Sequence, residues 1–393
     1  MRRRVAVGAS TFVGIAAVLL ATALFAGRGG AQSVVAVPLH PLVGTFVPDD
    51  TRLQDCGDAR CFHQAFGNLA YAEGPDAAFA MVNEVYGDGA DPACHRVAHY
   101  IGAGALARNR GDVGRTFAEG SPVCWSGYYH GALERALVGV ESYRPAALAA
   151  VARPLCRSTS ARATPWIAYQ CLHGLGHGLM VATGLDLPRS LDVCRRLEIA
   201  WDRDACRGGV FMENIQSSYG FRSRWLRDDD PVYPCTAVAR AAKFRCYQMV
   251  TSRILPAVGD DWARAAEACT RVEPDFVATC FLSLGRDASS RTSRDPHETA
   301  RVCAVARSYS GEDECIQAAA MDVVSNYSSG EQATALCAVV AGDLRESCFF
   351  GLGATMGRFQ TTWAARTADC RLVAAAPALV RSCLAGARST LPS

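Results

Sequence analysis

The chain has no excess of either charge. Forty basic residues stand against 38 acidic ones, and a net charge of +2 gives no reason to expect nucleic acid or another polyanion as partner. Lysine is almost missing, with Lys243 the only one, which reads as genome composition rather than function. No C-x-x-C pair occurs. That argues at once against a zinc ribbon, a thioredoxin-type redox motif and a C-x-x-C-H haem attachment site. Also missing are G-x-S-x-G, H-E-x-x-H, a Walker A loop and a strand-to-helix G-x-G-x-x-G, so none of these enzyme signatures applies.

What the chain does have is cysteine, 18 in 393 residues, behind an export-type N-terminus. Met1-Arg2-Arg3-Arg4 precedes an apolar run of 22 residues from Val5 to Ala26. Residues 1–31 therefore read as a signal peptide, with cleavage after Ala31, or as a single-pass membrane anchor. The length of the run favours the anchor. The arginines place the N-terminus inside and the rest outside, on the outer face of the cytoplasmic membrane, or secreted if cleaved. In such an oxidising location the cysteines read as disulfides.

The cysteines keep time. Six pairs stand 11 to 13 residues apart: Cys194 with Cys206, Cys235 with Cys246, Cys269 with Cys280, Cys303 with Cys315, Cys337 with Cys348 and Cys370 with Cys383. Their second members follow at intervals of 40, 34, 35, 33 and 35. A fixed period of this size predicts an all-α solenoid of helical hairpins. Ala-rich segments such as Trp262–Cys269 and Glu331–Cys337 read as first helices ending at a cysteine. A polar turn follows, and the next cysteine opens a second helix such as Cys280–Asp287 or Cys315–Val324. One disulfide would then staple each hairpin. Cys156 with Cys171 fits through a longer loop and Cys56 with Cys61 as a shortened version, which leaves Cys94 to bond Cys124. Cys124-Trp125 is superficially similar to a papain-type nucleophile segment, but the even cysteine count makes the disulfide the better reading.

Three places after the second-helix cysteine stands a small residue: Gly127, Gly174, Gly209, Ser283, Ala318, Gly351 and Gly386, with Met249 the exception. Glycine costs about 1 kcal/mol in a helix, so its recurrence implies close helix contact. The organisation that follows is a linker at 32–50, a histidine-bearing helical domain at 51–216, a charged loop at 217–234 read as solvated surface, and cysteine-stapled repeats at 235–393.

On period and cysteine placement, residues 190–393 resemble the secreted bacterial cysteine-rich tetratricopeptide-like repeat proteins, in which a disulfide joins the two helices of each repeat. A looser similarity is to the helical-repeat hydroxylase with two irons on its inner helices. Its paired His-Glu dipeptides are missing here, so its activity is not implied.

The chemistry lies in the first half, where the block C-x-x-G-x-x-H-G is written twice, from Cys124 and from Cys171. Behind the early cysteines come His95 with His99, His130 with Glu134, and His173 with His177, each pair at i,i+4 on one helix face, and then Glu213. That is the spacing by which a helix offers two ligands to a transition metal. A single histidine in a glycine-rich contact can simply donate to a neighbouring carbonyl; three successive pairs, absent from the later repeats, favour metal ligation. His99, His130, His177 and Glu213 are expected on one surface, with His95, His173 and Glu134 one turn away. His63 is a marginal addition, and His40 and His297 have no role. Tyr128, Tyr129 and Trp125 read as core or wall, and Asn214 and Gln216 as residues that could orient ligands. The ligands suit Zn, Fe or Cu. Two functions follow: a metal-dependent hydrolase or oxidase, with Glu134 or Glu213 as ligand or general base, or a non-catalytic scaffold. The scaffold would bind a protein or peptide on its repeat surface, or would sense or store metal.

Overall fold

Helix starts are written into the sequence as aspartate and threonine. Asp58, Asp112, Asp186, Asp261 and Asp295 each accept the backbone N–H three residues on, and Thr164 and Thr362 do the same through their hydroxyls. Each such cap satisfies one of the donors a helix start leaves open, a contribution of about 1 kcal/mol. The computed structural model describes residues 46–86, 92–158 and 160–390. The signal or anchor segment and most of the 32–50 linker lie outside them. No helix among the described residues is long and apolar enough to cross a membrane.

The described chain is all-helical. It begins with α1 (Ala59–Glu73), α2 (Pro75–Tyr86), α3 (Pro92–Arg108), α4 (Val113–Ala118), α5 (Gly127–Ala136), α6 (Pro145–Leu155), α7 (Pro165–Ala182), α8 (Leu187–Arg195) and α9 (Ala200–Ile215). It continues through α10 (Arg240–Tyr247), α11 (Thr251–Ala257), α12 (Trp262–Cys269), α13 (Val277–Arg291), α14 (Pro296–Cys303) and α15 (Glu312–Tyr327). The last four are α16 (Glu331–Val339), α17 (Leu344–Met356), α18 (Trp363–Val373) and α19 (Pro377–Ser389). Helices α1, α3, α5, α7 and α9 lie side by side as one row, and α13, α15, α17 and α19 form a second run of the same kind. Between the two runs α10 packs against α9 and α11 against α13, and the remaining helices pack against the row or one another.

All eighteen cysteines are paired. Cys56 bonds Cys61, Cys94 bonds Cys124, and Cys156 bonds Cys171. Cys194 bonds Cys206, Cys235 bonds Cys246, and Cys269 bonds Cys280. The ladder ends with Cys303 on Cys315, Cys337 on Cys348 and Cys370 on Cys383. This is the pairing that the spacing suggests, with Cα atoms 5.2 to 5.8 Å apart. Nine intrachain disulfides mark a protein of an oxidising, extracytoplasmic compartment.

Three local readings need correction. The second-helix cysteines do not open their helices: α9 starts at Ala200, α13 at Val277 and α15 at Glu312, ahead of Cys206, Cys280 and Cys315, and α19 starts at Pro377, ahead of Cys383. The staple thus grips the body of the second helix, one to two turns in. Likewise Cys61 lies inside α1, which starts at Ala59, while its partner Cys56 follows a single 3-10 turn rather than a first helix. Cys124 lies outside its helix altogether. Cys124, Trp125 and Ser126 take left-handed φ angles of 59°, 53° and 60°, and α5 begins only at Gly127. Finally, the helix of Cys246 is broken into α10 and α11 around Met249, the one position where the small residue is missing.

The row also closes on itself. The Trp166 amide, at the start of α7, donates to the Arg358 carbonyl after α17 at 2.9 Å, and the Trp166 ring meets Phe359 at 4.9 Å. Further along, the Arg294 guanidinium sits 4.3 Å over the Trp125 ring. The late repeats thus return to cover the histidine-bearing helices.

Candidate metal centre

Glycine sets how closely the ligand-bearing helices approach. A Cβ on Gly131 of α5 would lie 1.8 Å from the His99 carbonyl oxygen of α3, and one on Gly209 of α9 would lie 1.8 Å from the His173 carbonyl oxygen of α7. Only a bare Cα fits at either place. The backbones meet beside the histidines, and the side chains are forced into a single seam.

That seam holds all seven predicted residues. His95 and His99 come from α3, His130 and Glu134 from α5, His173 and His177 from α7, and Glu213 from α9. It is a buried cluster rather than an open surface: His99 and His177 are 1% exposed, and both glutamates are 0% exposed. His95 alone is half-buried, beside Trp125 at 6.2 Å. Three sets of ligand atoms lie within 4.8 Å of one another: His95/His99/His130, His130/His173/His177 and Glu134/His177/Glu213. Each set could hold a metal ion. His130 belongs to two of them and stacks on His177 at 4.6 Å.

Hydrogen bonds fix which nitrogen carries the proton on every histidine of the seam except His173. His95 Nδ1 donates to the Cys124 carbonyl at 2.8 Å, a bond made possible by the left-handed turn at Cys124. His99 Nδ1 donates to Glu134 Oε2 at 3.0 Å, and His177 Nδ1 donates to Glu213 Oε2 at 2.8 Å. His130 Nε2 donates to Gln170 Oε1 at 3.3 Å, which leaves its Nδ1 buried without a partner. His173 Nδ1 has only the Ala205 backbone near it and no well-formed hydrogen bond.

In the first histidine pair the free electron pairs therefore point inward. His95 Nε2 and His99 Nε2 are 3.1 Å apart, and His173 Nε2 and His177 Nε2 are 3.3 Å apart. With Nδ1 protonated on both sides, as it is in the first pair, two lone pairs face each other and need a cation between them, a proton or a metal ion. Two nitrogens about 2.05 Å from one tetrahedral ion lie about 3.3 Å apart, close to both separations.

Burial opposes charge on the imidazoles. It holds His95 down to about 3, assisted by His99, and keeps His130 and His173 well below the usual histidine range, assisted in both by His177. Neutral imidazole is the ligand form. For Glu134 burial acts upward, but His99, His177 and the Tyr219 hydroxyl outweigh it and hold the carboxyl below its ordinary range. Tyr219, pushed well above the usual phenol value by burial and by Glu134, stays protonated and donates to Glu134 Oε2 at 2.8 Å.

The two carboxylates differ. Glu213 is saturated: Ser217 Oγ and the Ser218 amide donate to Oε1 at 3.1 and 2.9 Å, and Ser218 Oγ donates to Oε2 at 2.6 Å. Glu134 takes both its bonds on Oε2, and its Oε1 is buried without a partner.

Nothing in the sequence pattern singles out Tyr219, Ser217, Ser218 or Gln170. The first three sit in the 217–234 segment read as a solvated loop. Its charges are solvated, as in the exposed Arg222–Asp228 pair, but its first three residues form a wall of the site. Asn214 and Gln216 do not serve the ligands; they bond Ser223 and Ser252. His63 stands apart, stacked on Tyr100 at 4.8 Å. Tyr128 and Tyr129 are core, and His297 lies in the first turn of α14.

No family model, curated protein or solved structure matches this chain.

Proposed function

We propose that this is an extracytoplasmic helical-repeat protein that carries a divalent transition metal, Zn, Fe or Cu, on the seam between α3, α5, α7 and α9, and uses it in catalysis. The observation that carries this reading is the convergence of buried electron-pair donors, two of which, His95 Nε2 and His99 Nε2, face each other with no proton between them. His95, His99, His173 and His177 meet through Nε2, and His130 Nδ1 and Glu134 Oε1 are buried with no partner. An unanswered buried donor or acceptor costs about 1–3 kcal/mol, and a metal ion answers several at once.

In this reading Glu213 is a positioning residue. Its carboxylate is consumed in holding His177 and in tying down residues 217 and 218, the usual arrangement of a carboxylate behind a metal-bound imidazole. Glu134 keeps one oxygen available and is the residue for ligation or general-base work. A metal held here would activate water for hydrolysis or exchange electrons with O2. The free oxygen of Glu134 favours the enzyme over storage or sensing, in which the protein ligands would be fully engaged.

The test is metal analysis of the purified exported domain after loading with Zn, Fe or Cu. The expected result is stoichiometric metal that disappears in a His99→Ala/His130→Ala/His177→Ala variant with an intact helical spectrum. No bound metal in the wild type, or equal metal in the variant, ends the proposal.

A further inference from the structure

The late repeats bring a second chemistry to the edge of the histidine seam. Arg358, in the turn after α17, is only 9% exposed, yet among the described residues its side chain has no acidic partner and no hydrogen bond, and Nε is buried and unanswered. Its guanidinium lies 5.0 Å over the ring of Tyr169, and the same ring stacks on His173 at 5.3 Å. Arg245 is the second cation here, close enough to depress His173. The carboxylate that acts on both arginines, Asp204, is already engaged by Arg245, whose Nε donates to it at 2.8 Å. Two guanidiniums thus share one carboxylate, and Arg358 is the one left over.

A buried, uncompensated cation is expensive. Burial pushes the Arg358 guanidinium down to about 10, which still leaves it charged at neutral pH. Its backbone is held by the Trp166 amide on its carbonyl and by Phe359 against Trp166, so the side chain sets out from an anchored point and lies over Tyr169.

We infer that Arg358, with Tyr169 as its wall, is a binding subsite for an oxyanion, a carboxylate or phosphate group carried by the substrate. An arginine fork suits either group. As a substrate anchor the subsite rests on the metal-site reading, since Tyr169 joins it to His173; as an anion site it stands alone. The arrangement selects acidic substrates over neutral ones of the same shape.

The test is titration calorimetry of inorganic phosphate and, separately, acetate into the exported domain, in metal-free and metal-loaded form. Saturable binding to the metal-free wild type is expected, weakened about 10-fold or more by Arg358→Gln and less by Arg358→Lys. Should Arg358→Gln fail to fold, modification by phenylglyoxal decides: phosphate must protect Arg358 in the wild type. Absence of saturable binding by both anions overturns the subsite, as does binding unchanged in Arg358→Gln or an Arg358 that phosphate leaves unprotected. Anion binding in a protein that takes up no metal sinks the metal reading and keeps the subsite; metal uptake without anion binding does the reverse.

Discussion

Glu213 Oε2 accepts from His177 Nδ1 at 2.8 Å, and the same carboxylate takes three more hydrogen bonds from Ser217 and Ser218. An amide cannot accept from four donors in this way, because one of its two heteroatoms is itself a donor. Glu213→Gln is expected to lower metal affinity about 10–100-fold and to destabilise the fold by about 1–3 kcal/mol. Glu134→Gln, whose Oε1 has no protein partner, should affect metal affinity or turnover more than melting temperature. Competition titration against a chromophoric chelator, alongside thermal unfolding, separates the two. Equal effects of both variants on stability would remove the distinction between a positioning and an available carboxylate.

Gly131→Ala places a methyl 1.8 Å from the His99 carbonyl, so α3 and α5 must part. Overpacking of this kind costs about 1–3 kcal/mol and should also weaken metal binding, since both ligand pairs ride on these helices. Gly57→Ala, with nothing within 4 Å, is the control and should stay within about 0.5 kcal/mol. Thermal melts with and without metal give both readings. Retained affinity in Gly131→Ala would show that helix spacing does not set the site.

Much of this architecture is legible from one residue type. The cysteine period places the hairpins because a staple constrains its neighbours wherever it falls, and each pair reports on a local distance. The i,i+4 histidine pairs are legible for a similar reason: a helix fixes which side chains share a face. Tyr219 is not. Its hydroxyl reaches Glu134 from a segment without period, 85 residues away in the chain, and only the folded path of that segment brings it there. Arg358 is equally silent, one arginine among many until closure buries it. Cys124 reads as a helix start, and is not one, because three left-handed residues in succession have no sequence signature outside glycine. The exact entry of each second helix is hidden too: a disulfide reports that two Cα atoms are close, and Cys206 or Cys383 can meet its partner from within the helix as well as from its end.

An early and a late rung of the disulfide ladder should behave differently. Loop-closure entropy gives about 3.6 kcal/mol for a separation of 30 residues, as in Cys94–Cys124, and about 2.8 kcal/mol for 11, as in Cys337–Cys348. Paired alanine variants should therefore both lower the melting temperature. Only Cys94→Ala/Cys124→Ala should also weaken metal binding, since the Cys124 carbonyl holds His95. Loss of metal affinity in Cys337→Ala/Cys348→Ala would contradict this division.

Stability should carry a pH signature from outside the seam. Burial raises the Asp322 carboxyl to about 6, with Asp287 adding to the rise and Arg294, Ser289 and Arg286 opposing it. A folded value above the unfolded one means that the native state binds the extra proton. The benefit is present below about pH 4 and is lost as pH rises through 6. Asp322→Asn should thus stabilise the protein at pH 7, by at most about 3 kcal/mol, and give little at pH 4. Denaturant unfolding at the two pH values measures this; an equal gain at both would assign the effect to packing.

The closure of Arg358 onto Tyr169 turns repeat number into a fixed quantity. An open array can gain or lose a hairpin by recombination and remain useful, because every junction is local. Here one extra stapled hairpin inserted between Cys280 and Cys303 would leave each disulfide intact and carry Arg358 past its mark. Copy number in this chain works as a ruler, and natural variation in length should fall in its loops.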